Sequence, residues 1–333
     1  MRAVTEDDVE RRLLDYRKRE EGRGRAANRP VRIPPRGWRD IAIRTVEQIG
    51  KDRANLAAAG VAFLGLLALF PAIAAFVSLY GVVADVTTAR QHIDALAGVV
   101  PASALELIGA ELERVASVED AGAGIGVFVG LAITLWMANN GMRTLFVAMN
   151  VAYDEQETRD FFRLTATTLA MTAGALLTVI VAVNVIVLVP AVLAAMPLGP
   201  VGGWMARLVP YLVLFVLLNV FVALLHRFGP SRRSARWSWV SAGSIATTLA
   251  LVAASVAFSI YLANFGNYNA TYGTLGAVVS FMMWLYLSAF VLIAGAELNA
   301  EIERQTVHDT TVGPARPMGA RGARVADTLG ESR

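Results

Sequence analysis

An all-α membrane protein with six transmembrane helices is predicted by three observations. First, no charged side chain occurs between Arg236 and Glu297, a run of sixty residues. As one helix at about 1.5 Å per residue, that run would be roughly three times the hydrocarbon thickness of a bilayer. It must fold back on itself, and residues 264–273, polar, aromatic and glycine-bearing, supply the turn. Second, 56% of the 333 residues are hydrophobic and only 17% are charged, with mean hydropathy +0.52. That balance leaves too few charges for the exterior of a soluble domain. Third, Arg accumulates in alternate loops.

The elements follow in order. Residues 5–21 read as a short charged helix, acidic residues leading and basic ones following, which suits a helix dipole. Residues 22–37, with Pro30, Pro34 and Pro35 among Arg and Gly, read as a flexible linker. Together, 1–37 form a basic cytoplasmic N-terminal extension. Residues 38–53 read as an interfacial helix. Span one is uncharged over 54–84, with Pro71 near its middle, and is too long for a cleaved signal sequence. Residues 101–114 carry apolar positions at helical spacing, as in an amphipathic helix on the outer surface. Span two covers about 122–142. Asp154 reads as a helix N-cap with Glu157 at the third position, opening an elbow into span three. Span three begins after Arg163 and ends near Pro190. Pro190, Pro197 and Pro200, with Gly199, Gly202 and Gly203, predict a loop. Spans four, five and six cover about 208–225, 240–262 and 274–296. The membrane domain is thus 38–303, and 304–333 reads as a disordered cytoplasmic tail.

Orientation comes from Lys and Arg. Residues 1–53 hold fifteen of the thirty basic residues. The loop after span two carries Arg143, Arg159 and Arg163, and the loop after span four carries Arg227, Arg232, Arg233 and Arg236. The intervening loops hold Arg90, Arg114 and Arg207. Both termini are therefore expected in the cytoplasm, on the inner face of a bacterial plasma membrane.

Catalytic chemistry is not indicated. There is no Cys, hence no disulfide or thiolate metal site. His92, His226 and His308 are scattered, with no HExxH, phosphate-binding loop or Gly-x-Ser-x-Gly elbow. No catalytic, cofactor-binding or metal residue is assigned and no cofactor is expected.

Other positions carry either transport or plain packing. Gly122, Gly126 and Gly130, and Ala242, Ala246, Ala250 and Ala254, form small-residue faces that let helices approach closely. Pro71 marks a kink or a broken helix lining a substrate path. Asn184 and Asn219 are polar at membrane depth, so each is expected against another helix or a wet cavity. Arg143 and Glu297 fall at similar depth at the cytoplasmic ends of spans two and six, the former just after Asn139. They are expected to pair directly or through Asn299 or Asn150, as a gate or a fixed clamp. In the external turn, Asn264, Asn269 and Gly273 suit tight backbone, while Tyr268 and Tyr272 suit headgroup level.

Three blocks resemble the YihY/BrkB family of bacterial inner-membrane proteins. They are Ala57-Ala-Ala-Gly-Val-Ala-Phe63 with Leu69-Phe-Pro71; Trp136-Met-Ala-Asn-Asn-Gly-Met-Arg143 through Asn150 to Arg159; and Phe258-Ser-Ile-Tyr261 through Tyr268-Asn-Ala-Thr-Tyr-Gly273 to Gly295-Ala-Glu-Leu-Asn299. The resemblance implies a membrane protein of undetermined activity, with transport suspected. It also brings an old ribonuclease BN label and a virulence-factor label. A ribonuclease would need an aqueous acid–base or metal site, which the loops do not offer.

The sequence reading is a transporter or gate for a small solute, ion or lipid, and not an enzyme. The alternative is a non-transporting scaffold or envelope-assembly factor. Three spans per half suit an inverted repeat, which Leu69-Phe-Pro71 and Leu208-Val-Pro210 echo. Expected partners are the bilayer, anionic lipids at the cytoplasmic face and an unidentified substrate. Nucleic acid is not expected, and homo-oligomerisation stays open.

Overall fold

The computed structural model describes residues 20–83, 105, 106, 109, 123–195, 199–265 and 275–333. A 3-10 turn (Pro30–Arg32) leads into α1 (Pro35–Lys51) and α2 (Ala54–Val83). Then come α3 (Ala123–Ala152), α4 (Phe161–Ala195), α5 (Gly199–Phe228), α6 (Trp237–Phe265), α7 (Leu275–Glu303) and a last turn, α8 (Arg324–Asp327). Among the described residues, the β-type pairing consists of one isolated bridge between Ala235 and Thr311.

The long helices close a ring. α2 packs on α3, α3 on α4, α4 on α5, α5 on α6, α6 on α7, and α7 back on α2. α7 also touches α1, α3, α5 and α8, so it is the hub. By length and composition, four stretches among the described residues can cross a membrane: Phe161–Ile186, Leu208–Phe228, Trp237–Asn264 and Gly276–Glu303. Pro35–Lys51 and Ala54–Leu69, bent by 62°, make a fifth if they form one span. Arg53 sits at that bend with φ 50°, a left-handed backbone uncommon outside glycine.

Burial is concentrated at the end of the bundle that bears the C-terminus, where Arg23 meets Arg333. Leu145, Phe146, Met149, Tyr153, Leu225, Ile293, Ala296 and Ala300 form the main core there. Along the spans, by contrast, Leu177, Ile180, Leu212, Val216, Ile245 and Ile260 point outward. That pattern is expected of helices solvated by lipid tails rather than by water.

Hydroxyls within the helices are satisfied locally. Thr168, Thr172, Thr247 and Thr248 each donate to the carbonyl four residues back, which keeps them from being orphaned in an apolar setting.

Several sequence expectations need correction. The breaker-rich stretch 190–203 is largely helical: α4 continues through Pro190 to Ala195, and α5 starts at Gly199. Pro200 falls in the first turn of α5, where a missing N–H costs nothing. The N-cap of α4 is Asp160, not Asp154: its Oδ1 accepts the Arg163 N–H at 2.9 Å. Asp154 instead takes a left-handed φ of 51° and binds Arg304.

The stretch read as a flexible linker is packed, with Ala27 and Ile33 buried and Arg23 paired to Asp40. The tail read as disordered is packed too. Arg321, 4% exposed, donates to the carbonyls of Val307, His308, Arg316 and Ala326, and Val325 enters the main core. Composition misled here because Arg satisfying its own chain's carbonyls does the work usually done by apolar burial.

The tight face of α6 also lies beside the alanine stripe rather than on it. Ala250 is exposed, whereas Gly243 and Thr247 meet α7. A Cβ on Gly295 would fall 1.9 Å from Thr247 Oγ1, and one on Gly243 would fall 1.9 Å from Asn299 Oδ1. Only hydrogen fits at either place. Gly295→Ala is therefore expected to lower the unfolding midpoint in detergent, by overpacking worth about 1–3 kcal/mol. Gly174→Ala on α4, where an added Cβ meets nothing within 4 Å, should leave the midpoint unchanged or raised. Intrinsic tryptophan fluorescence during heating measures both.

Candidate functional site

Charges avoid the hydrocarbon, so they collect where the helices end. At the terminus-bearing end the last turns of α7 carry Glu297, Glu301 and Glu303, all 1% exposed. With Asp40 these are the four buried carboxylates among the described residues. Three have Arg partners. Arg44 donates to Glu301 at 2.5 Å and Arg304 donates to it at 2.6 Å. Arg232 grips Glu303 through two bonds of 2.5 and 3.1 Å, and Thr310 donates to the same carboxylate. Burial works against the Arg232 charge, but the adjoining Glu303 outweighs it and raises its pKa. Asp40 is held by Arg23.

Glu297 is the exception. Its neighbour is another acid, Asp52, which the bend between α1 and α2 brings within hydrogen-bonding reach. Glu297 Oε1 and Asp52 Oδ2 are buried without a hydrogen-bond partner. Two carboxyls so placed favour a shared proton or a cation between them.

A neutral polar cluster lies alongside. His226, fully buried on α5, meets the Leu292 carbonyl through Nε2 at 3.1 Å and Asn299 Nδ2 through Nδ1 at 2.9 Å. A carbonyl needs a donor and an amide nitrogen needs an acceptor, so the proton belongs on Nε2. Tyr153, buried at the end of α3, leaves its hydroxyl unpartnered, as does Asn139 with its Oδ1.

The sequence-predicted residues distribute as follows. Arg143 and Glu297 are not brought together. The Arg143 guanidinium lies over the Phe161 ring of α4, 5.6 Å from its centroid, whereas Glu297 turns toward the α1–α2 bend. Nor do the expected bridges link them. Asn150 donates to Glu157 and accepts the Ser231 N–H, and Asn299 binds His226. Asn184 is exposed and donates to the Ile180 carbonyl of its own helix. Asn219 bonds Thr248 at 3.2 Å, joining α5 to α6. Pro71 lies within α2, whose helix continues to Val83.

Asn264 donates to Ile260 at the end of α6. Tyr268, Asn269, Tyr272 and Gly273 fall outside the described residues, as does most of 101–114. Sequence reading overlooked Asp52. The signal was there, since it is an acid between Lys51 and Arg53 at the mouth of a long apolar run.

The sequence profile of the family described as Virulence factor BrkB matches residues 45–318. The chain belongs to this family. The match extends past residue 303, in keeping with a tail that packs on the bundle. The chain is 28% identical over 257 residues to the ribonuclease-like protein YfkH of Bacillus subtilis, covering 74% of this chain and 89% of YfkH. It is 32% identical over 112 residues to a UPF0761 membrane protein of Tolumonas auensis, covering 34% of this chain and 35% of that one. A UPF0761 membrane protein of Rhodospirillum centenum is 34% identical over 95 residues, 28% of this chain and 21% of that protein. No solved structure matches the chain. The BrkB-family chain is thus a membrane protein related to the UPF0761 group.

The loop between α3 and α4 gives the site a pH signature. Burial alone would raise the Glu157 carboxyl, but Arg159 and Asn150 outweigh it and hold the pKa at about 2, against an ordinary 4.5. A depressed acid contributes stability above its unfolded pKa and loses it as pH falls through its folded one. Stability against unfolding, followed from pH 7 to pH 2, should therefore fall steadily below pH 4.5 in the native protein. Glu157→Gln is expected to unfold earlier at pH 7 and to flatten that part of the acid limb.

Proposed function

We propose that this BrkB-family membrane protein is a six-span transporter or gate for a small solute, ion or lipid, with Asp52 and Glu297 as its ion-sensitive element. One observation carries the reading. Three buried carboxylates are neutralised by Arg, while the fourth, on the hub helix, faces a second acid across a bend between two helices. A structural acid has no need of such a position, and a buried acid that faces a second acid, with the nearby Arg304 already paired to Glu301 and Asp154, points to proton or cation handling. Movement at the α1–α2 bend would separate the two carboxyls and release what they share.

Supporting the assignment to a bacterial inner membrane are the apolar helices and the bacterial relatives. The Arg distribution supports cytoplasmic termini and three spans per half. We read the chain as a non-enzyme, since both ring nitrogens of His226 are engaged internally. The ribonuclease-like name of YfkH would need an acid–base site that the residues in hand do not suggest. The second reading, a scaffold or envelope-assembly factor, draws on the folded tail that closes one end of the bundle.

Reconstitution into liposomes tests the proposal. Proton, Na⁺, K⁺ and lipid fluxes are screened for the native protein, Glu297→Gln and Asp52→Asn. At least one flux above empty vesicles is expected, falling tenfold or more in Glu297→Gln while its unfolding midpoint holds. A folded native protein that moves none of them would favour the scaffold.

Orientation is tested separately, using the absence of native Cys. Cys introduced at exposed Ala315 should react in intact cells with a membrane-permeant maleimide and not with an impermeant one. Labelling by the impermeant reagent would invert the topology.

A further inference from the structure

Two adjoining cavities lie on the side of the ring formed by α4 and α5. The first, about 620 Å³, is an apolar groove lined by Ala170, Gly174 and Leu177 of α4 and Val220, Phe221 and Leu224 of α5. On α4 it runs from Ala166 to Thr178, about 18 Å at helical rise, or somewhat more than one leaflet of a roughly 30 Å hydrocarbon core. Leu177 and Val220 are more than half exposed, so the groove opens sideways to its surroundings.

Toward the terminus-bearing end the groove runs into the second cavity, about 880 Å³, with which it shares Thr167 and Phe228. The chemistry changes abruptly there. Five arginines line this cavity, Arg159, Arg163, Arg227, Arg232 and Arg233, against a single acid, Glu155.

Two of the five are committed elsewhere. Arg159 donates to Glu157 and to the carbonyls of Phe228 and Gly229, and Arg232 is bound to Glu303. Arg163, Arg227 and Arg233 form no ion pair among the described residues. Arg227 lies over the Trp237 ring at 4.2 Å, and its Nε and Nη1 are buried with no acceptor. Arg233 Nη1 is in the same condition. Those buried nitrogens are closed off from the cavity, but the charge of Arg163, Arg227 and Arg233 is balanced there by no carboxylate except Glu155, so the open side of the pocket suits an anionic oxygen ligand. Phe161 and Phe162, both exposed at the start of α4, mark the adjoining level as the interface, where headgroups lie.

We infer that the α4–α5 groove and the arginine pocket together bind one anionic phospholipid, with an acyl chain along Gly174 and the phosphate among Arg163, Arg227 and Arg233. The two halves of the site argue this jointly. A soluble anion would have no use for an apolar slot one leaflet long. A lipid of zero net charge would bring a phosphate but leave the surplus of arginine charge unbalanced. The assignment is of a binding site and holds whether or not the protein transports anything.

The test uses the full chain purified in an uncharged detergent, read by native mass spectrometry and by thermal shift. Its probes are phosphatidylglycerol, phosphatidylcholine and inorganic phosphate. Phosphatidylglycerol is expected to bind at least tenfold more tightly than phosphatidylcholine, and Arg227→Gln/Arg233→Gln to abolish that preference.

Gly174→Leu probes the groove by itself, since an added Cβ there meets nothing within 4 Å. It should weaken phosphatidylglycerol binding several-fold and leave any response to phosphate unchanged. If the double variant does not fold, Arg163→Gln, at an exposed position, takes its place beside Gly174→Leu. Equal binding of the two lipids overturns the proposal. So does protection by phosphate matching that by phosphatidylglycerol, with Gly174→Leu silent, which would mark a soluble-anion site. Unaltered phosphatidylglycerol binding in both Arg163→Gln and Gly174→Leu likewise overturns it.

Discussion

The acidic end of α7 is held by arginines from three separate parts of the chain, and the rest of the structure depends on that pairing. Arg44 comes from α1, Arg232 from the loop after α5, and Arg304 from the start of the tail. Each pair is almost wholly buried. Glu301 holds two of these arginines, whereas Glu303 has Arg232 alone, so losing Arg232 would leave a buried charge without a cation, a cost of about 3–5 kcal/mol. Because α7 also packs against α2, α3, α5 and α6, these pairs fix the amphipathic first helix, the connecting loop and the tail to one hub. Lipid-facing helices gain little from the hydrophobic effect among themselves. The water-facing end, where apolar and ionic burial combine, is where the fold is secured.

Against this background the unpaired groups stand out. Arginine-neutralised carboxylates are explained by architecture alone. Asp52 facing Glu297 is not, and neither are Arg163, Arg227 and Arg233, which line one cavity and form no ion pair among the described residues. The two exceptions have opposite electrostatic character and draw on different helices. One lies where α1 and α2 meet α7 and suits a proton or cation. The other lies where α4 and α5 end and suits an anion bearing an apolar chain. A protein built only to be rigid would have little reason to leave both unsatisfied.

Much of the fold was legible in the sequence because lipid imposes length and polarity on any helix that enters it. The sixty uncharged residues before Glu297 had to be two helices, and they are α6 and α7. The arginine-rich loops marked the wet end, which is where Arg159, Arg227, Arg232 and Arg233 gather. Individual partners were less legible. Arg143 and Glu297 were matched on depth, but depth carries no information on azimuth, and the two side chains turn toward different neighbours. Asn184, placed by polarity against another helix or a wet cavity, bonds the Ile180 carbonyl of its own helix. The tail was judged by its Gly and Arg content, although a single Arg321 bonding four carbonyls gives it order.

Sequence by itself therefore determined that this chain is helical, lives in a membrane, and keeps its charges to the helix ends and loops. Those follow from hydrophobicity and periodicity, which are local properties of the chain. Only the tertiary structure decided which charges are neutralised and which are not. Arg232 finding Glu303, and Asp52 finding Glu297 instead of an arginine, join positions tens to hundreds of residues apart. Such pairing depends on how helices rotate and bend against one another, as at Arg53. No local pattern encodes that rotation, since it emerges from the packing of the whole ring.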